Sequence, residues 1–169
     1  PNTTSTTTLA AVPPTTAGSV PTTTTALPTT TVPTTTSPPT AAPDPTCPPV
    51  AGGRAADVDG DGCPEGVLVE GERVSVGGTT WVAGRPGDQV VVADWDCDGT
   101  ATVASLRPTT GEVFVFDRWV VPGDQLTVAP LTTIGGATAI AATDPDGDGC
   151  PDLVVSRGAA PPVVAEVPR

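Results

Sequence analysis

The stretch Asp94-Trp95-Asp96-Cys97-Asp98-Gly99-Thr100-Ala101-Thr102 carries carboxylates at its first, third and fifth positions and a Gly at its sixth. The pattern occurs twice more, as Asp57-Val58-Asp59-Gly60-Asp61-Gly62-Cys63-Pro64-Glu65 and as Asp144-Pro145-Asp146-Gly147-Asp148-Gly149-Cys150-Pro151-Asp152. The copies begin at residues 57, 94 and 144, so they lie 37 and 50 residues apart, a spacing typical of repeat architectures. In chain order we call them the first, second and third Asp loops, and they predict three related structural units.

The residue types in these loops are those that bind calcium. Ca²⁺ takes about six to eight oxygen ligands, and carboxylates at alternating positions can surround it when a Gly with positive φ folds the loop back. The main-chain carbonyl at position 7 would add a ligand, whereas Thr102 replaces the position-9 carboxylate of the second loop, so weaker binding is expected there. The predicted ligands are Asp57, Asp59, Asp61, Cys63 and Glu65 in the first loop, Asp94, Asp96 and Asp98 in the second, and Asp144, Asp146, Asp148, Cys150 and Asp152 in the third.

Two other structures are compatible with Asp-rich loops. Asp and Gly are common in solvated turns that bind no metal, but three copies of one spacing favour a binding function. An EF-hand begins with the same residues, yet it needs Glu at position 12 and helices on both sides. Position 12 in the three loops is Leu68, Ser105 and Val155. We therefore predict loops that join two β-strands.

Short Val-rich runs bounded by Gly, Pro and Asp predict the strands themselves. The runs are residues 66–69, 73–76, 89–93 and 112–116. No stretch keeps apolar residues at helical spacing over three turns without a Gly or Pro between them. The chain is therefore predicted to be all-β.

The unit from Val92 to Phe116 resembles the FG-GAP or VCBS-type repeat of integrin-like β-propellers and of many secreted bacterial proteins. The resemblance rests on the Asp loop and on the segment that follows it, from Leu106 to Phe116, and it covers roughly residues 50–158. It implies a small propeller-like domain of about three blade-like repeats. Propellers typically close with about four to eight blades, so three units would leave sheet edges open to other strands.

Residues 1–46 differ from the rest because they hold 19 Thr, 3 Ser and 10 Pro. They are predicted to form an extended stalk before an all-β domain of residues 47–169, since they carry too few apolar groups to build a core. In polyproline II conformation the stalk would reach about 140 Å. Its composition fits both a mucin-like O-glycosylated spacer and a bare linker. The predicted glycosylation sites are Thr22, Thr23, Thr24, Thr25, Thr29, Thr30, Thr31, Thr34, Thr35 and Thr36.

The four Cys residues favour two disulfides and an extracellular or cell-surface location. Zinc is the competing interpretation, but the chain has neither a Cys-x-x-Cys spacing nor His. Of the three pairings we favour Cys47 with Cys63 and Cys97 with Cys150. No apolar run is long enough for a signal or membrane segment, and the start at Pro1 without Met suggests part of a longer precursor.

The sequence allows two roles for the five aromatic residues and two for Arg107. Packing between strands is expected for the aromatic residues, rather than a platform that binds sugars. Arg107 either braces a neighbouring unit through a carboxylate or lies solvated on the surface. The aromatic residues are Trp81, Trp95, Trp119, Phe114 and Phe116.

Charge and composition exclude several classes of function. A net charge of −12 argues against nucleic acid and anionic lipid as partners, and the lack of His argues against Ser-His-Asp or Cys-His catalysis, so no enzymatic activity is expected. The sequence favours a calcium-stabilised extracellular structural protein that self-associates head to tail into a surface fibre, with the stalk of one subunit on the domain of the next. The apolar side chains available for that contact are Val12, Val20, Leu27 and Val32. Two alternatives are an adhesion module that binds a glycan or surface ligand, and a non-catalytic appendage of a larger secreted enzyme.

Overall fold

The structure, a computed structural model, describes residues 5–12, 47–50 and 52–168. These residues form thirteen β-strands and no helix, so the domain is all-β as predicted. The strands are β1 (Thr7–Val12), β2 (Arg54–Ala56), β3 (Glu65–Glu70), β4 (Arg73–Val76), β5 (Thr79–Ala83), β6 (Gln89–Ala93), β7 (Thr102–Arg107), β8 (Glu112–Val115), β9 (Gln125–Val128), β10 (Thr132–Thr133), β11 (Ala139–Thr143), β12 (Asp152–Arg157) and β13 (Ala160–Ala165). The described residues include no helix that is long and apolar enough to span a membrane.

The strands form three antiparallel sheets, none of which is closed among the described residues. The first sheet has the order β2-β3-β4-β5-β1-β9, the second β10-β8-β7-β6 and the third β11-β12-β13. The Asp loops join β2 to β3, β6 to β7 and β11 to β12, and the next strand in each sheet is β4, β8 or β13. Each copy of the sequence repeat therefore builds one sheet.

The second sheet shares a hydrophobic core with each of the other two. Its strand β7 is buried along most of its length, and successive side chains of a strand point to opposite faces. On one face Val103 belongs to a core that contains Val67 and Val74 of the first sheet. On the other face Leu106 belongs to a core that contains Leu153 and Val155 of the third sheet. These two cores hold the sheets together, since each fully buried Val or Leu contributes about 1.5–3 kcal/mol.

Four of the five aromatic side chains pack in or against these cores, and Phe114 is buried against Arg107, so all five pack between strands as the sequence favoured. Trp95, Phe114 and Phe116 are buried, and Trp81 lies against Trp119 with ring centroids 4.7 Å apart at an interplanar angle of 58°. The indole N–H groups of all three Trp donate to main-chain carbonyls at 2.8–3.1 Å. Each indole therefore satisfies its polar atom inside the protein.

The predicted boundary at residue 46 does not hold for residues 7–12, which belong to the folded domain. They form β1, which lies between β5 and β9 in the first sheet, and Leu9 within it is fully buried. The composition of residues 1–46 concealed a strand that buries only alternate side chains. The predicted glycosylation sites from Thr22 to Thr36, together with Val20, Leu27 and Val32, lie outside the described residues.

Candidate metal centres

The three Asp loops occupy the same place in their hairpins. In each hairpin the residue just before position 1 pairs with the residue at position 9. The pairs are Ala56 with Glu65, Ala93 with Thr102, and Thr143 with Asp152. The loops therefore start and finish at equivalent points of their sheets, and the sequence repeat is also a structural repeat.

Main-chain N–H groups hold the carboxylate at position 1 in every loop. In the first loop Gly60 and Gly62 donate to Oδ1 and Oδ2 of Asp57, both at 2.7 Å. In the third loop Asp144 accepts from the N–H groups at positions 4 and 6 at 2.7 and 3.0 Å. In the second loop Asp94 accepts from positions 5 and 6 at 3.2 and 2.9 Å. Both oxygens of this side chain are thus fixed in place by the backbone of their own loop.

The carboxylate at position 5 is held in a similar way. Asp61, Asp98 and Asp148 each accept a hydrogen bond from the main-chain N–H at position 7, at 2.7, 2.7 and 2.8 Å. Side chains that bond to their own backbone in this manner stabilise tight turns. At position 3, Asp59 and Asp146 also accept from the main-chain N–H at position 5, at 3.2 and 3.3 Å. The loop backbone therefore orients all three carboxylates in the first and third loops, and those of positions 1 and 5 in the second.

Two positions of every loop have the left-handed backbone conformation. At position 6, Gly62, Gly99 and Gly149 have φ of +86°, +96° and +90°. At position 4, two loops have Gly and the second has Cys97, whose φ of +59° is the only positive value of a non-Gly residue in the described chain. The sequence assigned this conformation to position 6 alone, although the Gly at position 4 of two copies was a usable signal.

The spacing of the carboxylates fits a calcium ion. In every loop one oxygen from each of positions 1, 3 and 5 lies within 4.8 Å of the others. Two oxygens that each lie about 2.4 Å from one ion are at most about 4.8 Å apart, so this spacing is compatible with shared coordination. In the absence of a cation, two carboxylates at that distance repel by about 1 kcal/mol in water, and by more where the dielectric constant is lower.

The loops differ at position 9 and in burial. Glu65 in the first loop folds back, and its Oε2 accepts a hydrogen bond from the main-chain N–H of Val58 at 2.9 Å. Thr102 lies at the equivalent point of the second hairpin and offers a hydroxyl where the other loops have a carboxylate. The position-1 Asp is half-buried in the first two loops and exposed in the third. Weaker calcium binding by the second loop stays a prediction.

All four Cys residues form disulfides, Cys47 with Cys63 and Cys97 with Cys150, which is the pairing that the sequence favoured. Oxidised sulfur is not available as a thiolate, so these residues do not form a zinc site. Cys63 and Cys150 can therefore serve a metal only through their main-chain carbonyls. Two disulfides are typical of proteins that fold in an oxidising, extracellular environment.

The three loops lie next to one another. The main-chain N–H of Ala101, at position 8 of the second loop, donates to the carbonyl of Asp57 at 2.6 Å, and the Cys97–Cys150 disulfide joins the second loop to the third. A cavity of about 300 Å³ between them is lined by residues of all three, including Asp94 and Pro151. The candidate metal centres therefore form one acidic region of the surface.

A larger cleft lies on another side of the second loop. Its volume is about 490 Å³, and its walls include Trp119, Asp96, Asp117 and Arg118. Asp117 and Arg118 are exposed at the rim, where they form an ion pair at 3.1 Å. The cleft thus combines an aromatic wall with charged groups, an arrangement suited to a small polar ligand.

Arg107 lies away from the Asp loops and is buried. Its guanidinium donates to both carboxylate oxygens of Asp88, at 3.1 and 2.8 Å, lies 3.3 Å from Oε2 of Glu112, and sits 4.9 Å from the ring centroid of Phe114. The hydrogen bond to Asp88 raises the pKa of Arg107 above its ordinary value. The pKa of Glu112 is lowered, chiefly by the hydrogen bond from the Thr110 hydroxyl. Arg107 is therefore buried and paired rather than solvated. The prediction that it braces a neighbouring unit through a carboxylate is wrong, because Asp88 directly precedes β6 and Glu112 lies in β8, both in the sheet of Arg107 itself.

In a comparison with known proteins, no family model, no curated protein and no solved structure matches the chain.

Proposed function

We propose that this chain is an extracellular structural protein, the calcium-stabilised and O-glycosylated subunit of a surface fibre. The observation that carries the proposal is the threefold recurrence of one loop geometry, with three convergent carboxylates at the same point of three hairpins. Solvated turns have no reason to repeat such a geometry once in each sheet. A role in binding a hard cation accounts for it.

Calcium would be held by the carboxylates at positions 1, 3 and 5 of each loop and by the main-chain carbonyl at position 7. In the first and third loops Glu65 or Asp152 would contribute as well. Bound calcium supplies positive charge and crosslinks the ends of the two strands that it joins. Eleven of the 19 acidic residues lie in the three loops, so their mutual repulsion opposes folding until cations neutralise it. Folding and calcium binding would therefore be coupled.

A propeller-like arrangement of the sheets fits the same proposal. The three hairpins that carry the Asp loops follow one another along the chain, and the second sheet shares a core with the first and with the third. Consecutive blades of a propeller pack in this way, and the resemblance of residues 92–116 to FG-GAP and VCBS-type repeats is in agreement. Because none of the sheets closes among the residues that the structure describes, strand edges are left to pair with another chain, which favours a fibre.

The experiment that tests the proposal is thermal unfolding in calcium and in chelator. Extracellular modules bind calcium with dissociation constants of about 10⁻⁴ to 10⁻³ M. Calcium at about 10 mM would then stabilise the domain by about 1.4–2.7 kcal/mol for each occupied loop. Occupation of the first and third loops should raise the melting temperature by at least about 10 °C. Magnesium at the same concentration is the control, because it keeps its water shell and prefers a stricter geometry.

Variants show whether the effect comes from the loops. Asp61→Asn and Asp148→Asn should each remove more of the calcium-dependent shift than Asp98→Asn, since the second loop lacks the position-9 carboxylate. Equal melting temperatures in calcium and in chelator would contradict the calcium proposal. Electron microscopy of native material examines the fibre proposal separately, and monodisperse single particles would count against it.

A second candidate function, adhesion through a bound glycan, is favoured by the 490 Å³ cleft. Its aromatic wall could stack on a sugar ring, and Asp96 and Asp117 could accept hydrogen bonds from hydroxyl groups. The partial burial of Trp119 against Trp81 limits the face that it can offer. A glycan array with the wild type and with Asp117→Ala separates the two functions, because only a binding module would lose signal in the variant.

A further inference from the structure

Strand β1 completes the first sheet from a distant part of the chain. It pairs with β5 along one edge, from Leu9 with Ala83 to Val12 with Thr80. Along its other edge it pairs with β9, from Thr7 with Val128 to Ala10 with Gln125. No other described strand pairs with β9. Without β1 the sheet would have a slot between β5 and β9, with unpaired main-chain groups on both sides.

The side chains of β1 alternate between the core and the outer face. Thr7, Leu9 and Ala11 are buried, with Leu9 at 0% exposure in the core shared by the first and second sheets. Thr8 points the other way, and its hydroxyl lies 3.2 Å from the hydroxyl of Thr127. The slot therefore has a binding site for one large apolar side chain, and this site fixes the register of the inserted strand.

Polar contacts fix the position of β1 at its first residues. Nη2 of Arg107 lies 3.4 Å from the Thr7 hydroxyl, and Nη1 lies 3.5 Å from the Ser5 hydroxyl. The main-chain N–H of Gly84 donates to the carbonyl of Thr8 at 2.8 Å. Arg107 is itself held by Asp88. A buried cation braced by a carboxylate thus recognises the hydroxyl groups of the inserted strand, beyond what apolar burial requires.

The segment that connects β1 to the rest of the domain is long for this contact. Between Val12 and Cys47 lie 34 residues, nine of them Pro. The sequence predicts polyproline II for such a composition, which would extend 34 residues to about 105 Å. A compact domain of residues 47–169 is about 35 Å across, from its expected radius of gyration of about 14 Å. An extended connection would therefore reach well past its own domain.

The contacts of β1 with the slot are the same whether the strand belongs to that chain or to another copy. Whether β1 enters the slot of its own chain or of another copy therefore depends on the linker of residues 13–46. A linker much longer than the distance it must cover lowers the effective concentration of the strand at its own slot. We infer that β1 is a donor strand, which fills the slot between β5 and β9 in a second copy of this chain. The inference rests on the proposed fibre, for which it names the partner and the contact.

Exchange of this kind determines the form of the assembly. Each chain has one donor strand and one slot, and these are different surfaces, so the contact is heterologous. A heterologous contact that does not close into a ring continues as an open chain of copies. Addition of a strand to a sheet supplies main-chain hydrogen bonds along its length, and here both edges of the strand are used.

The test uses two full-length variants, each with one added Cys. Thr8→Cys marks the donor strand and Thr127→Cys marks the slot, at positions whose hydroxyl groups lie 3.2 Å apart. The two proteins are mixed in denaturant without reductant, which preserves the native disulfides, and are refolded together before mild oxidation. We expect a covalent dimer with a peptide crosslink between residues 8 and 127, and its yield should rise with protein concentration. The control replaces the slot variant with Ser156→Cys, an exposed position on β12, which pairs only with β11 and β13 among the described strands.

A second variant keeps the result interpretable. The double variant Thr8→Cys/Thr127→Cys forms its bond within one chain if β1 stays in its own slot. Two results together would overturn the inference: a disulfide between residues 8 and 127 within one chain of the double variant, and no more dimer from the mixture of single variants than from the Ser156→Cys control. The absence of both crosslinks would overturn it as well, because β1 would then not occupy the slot. Fibres without the intermolecular crosslink would leave the proposed function standing, whereas crosslinked dimers without fibres would refute the fibre and support the exchange.

Discussion

Loss of the Cys97–Cys150 disulfide should cost a predictable amount of stability. The two residues are 53 apart in sequence, and the chain-entropy relation for a crosslink of that separation gives about 4 kcal/mol. The perturbation is Cys97→Ser/Cys150→Ser, measured against the wild type. Small domains have about 5–15 kcal/mol of total stability, so the variant should still fold but unfold at a much lower denaturant concentration.

The residue that replaces Cys97 should matter as well. Because Cys97 has a φ of +59°, a side chain with a Cβ atom is disfavoured there, whereas Gly is not. We therefore expect Cys97→Gly/Cys150→Ser to be about 1 kcal/mol more stable than Cys97→Ser/Cys150→Ser. The Gly variant also restores the residue that the first and third loops have at this position.

The assay is urea unfolding at saturating calcium under non-reducing conditions, followed by circular dichroism. The matched control compares Gly with Ser at Cys63, whose φ is not positive, with Cys47→Ser in both proteins. Ser should be at least as stable as Gly in that pair. Equal stability of the Gly and Ser variants at position 97 would refute the argument from backbone conformation. A cost below about 1 kcal/mol for losing the disulfide would refute the argument from chain entropy.

Three further predictions concern the second loop, acid stability and the stalk. Thr102→Asp should tighten calcium binding in calorimetry because it adds the missing position-9 carboxylate, while Thr102→Asn should not, and equal binding by the two would contradict the assigned ligand positions. Since the pKa of Glu112 is lowered in the fold, the wild type should have a higher free energy of unfolding than Glu112→Gln. This difference should be complete above the ordinary carboxyl pKa of about 4.3 and should vanish as the pH falls through the lower pKa of the folded state. A difference in urea midpoint that does not change with pH would count against this. Native material should exceed the 16.7 kDa of the bare chain, and glycopeptide mapping that finds Thr22 to Thr25 unmodified would exclude the proposed glycans there.

Strand prediction succeeded where the apolar pattern was strong. The runs 73–76 and 89–93 coincide with β4 and β6, and 66–69 and 112–116 agree with β3 and β8 to within one residue at each end. Strand β13 was missed because Ala160–Ala165 contains two Pro residues, which cannot donate to a ladder. The two Pro residues are tolerated because β13 is an edge strand of the third sheet. The position of β13 at a sheet edge is known only from the order of strands in the sheet, not from the sequence.

Strand β1 was missed for a different reason. The Thr-rich composition around it hides an alternation in which only Leu9 is a large buried residue. A usable signal was present, since residues 2–12 form the longest run without Pro in residues 1–46. Its partners β5 and β9 lie about 70 to 120 residues further along the chain, and no local pattern predicts contacts at that separation.

The candidate metal centres were predictable in composition but not in arrangement. The repeated spacing identified the carboxylates, and the structure places those of positions 1, 3 and 5 together in each loop. Adjacency of the three loops depends on how the sheets pack, which the loop sequences do not encode. The role of Arg107 was equally beyond the sequence, because Asp88 and Thr7 approach it only through the tertiary fold.

In a fibre, the exchanged strand β1 and the disulfide-crosslinked Asp loops would bear the same tension one after the other. Tension on one copy would pass from β1, seated in its neighbour, through residues 13–46 to Cys47. The Cys47–Cys63 disulfide carries that load directly into the first Asp loop, so the force enters the domain beside a candidate calcium site rather than at a free strand end. At the other end the load falls on β1, whose hydrogen bonds to β5 and β9 lie across the direction of pull and must break together.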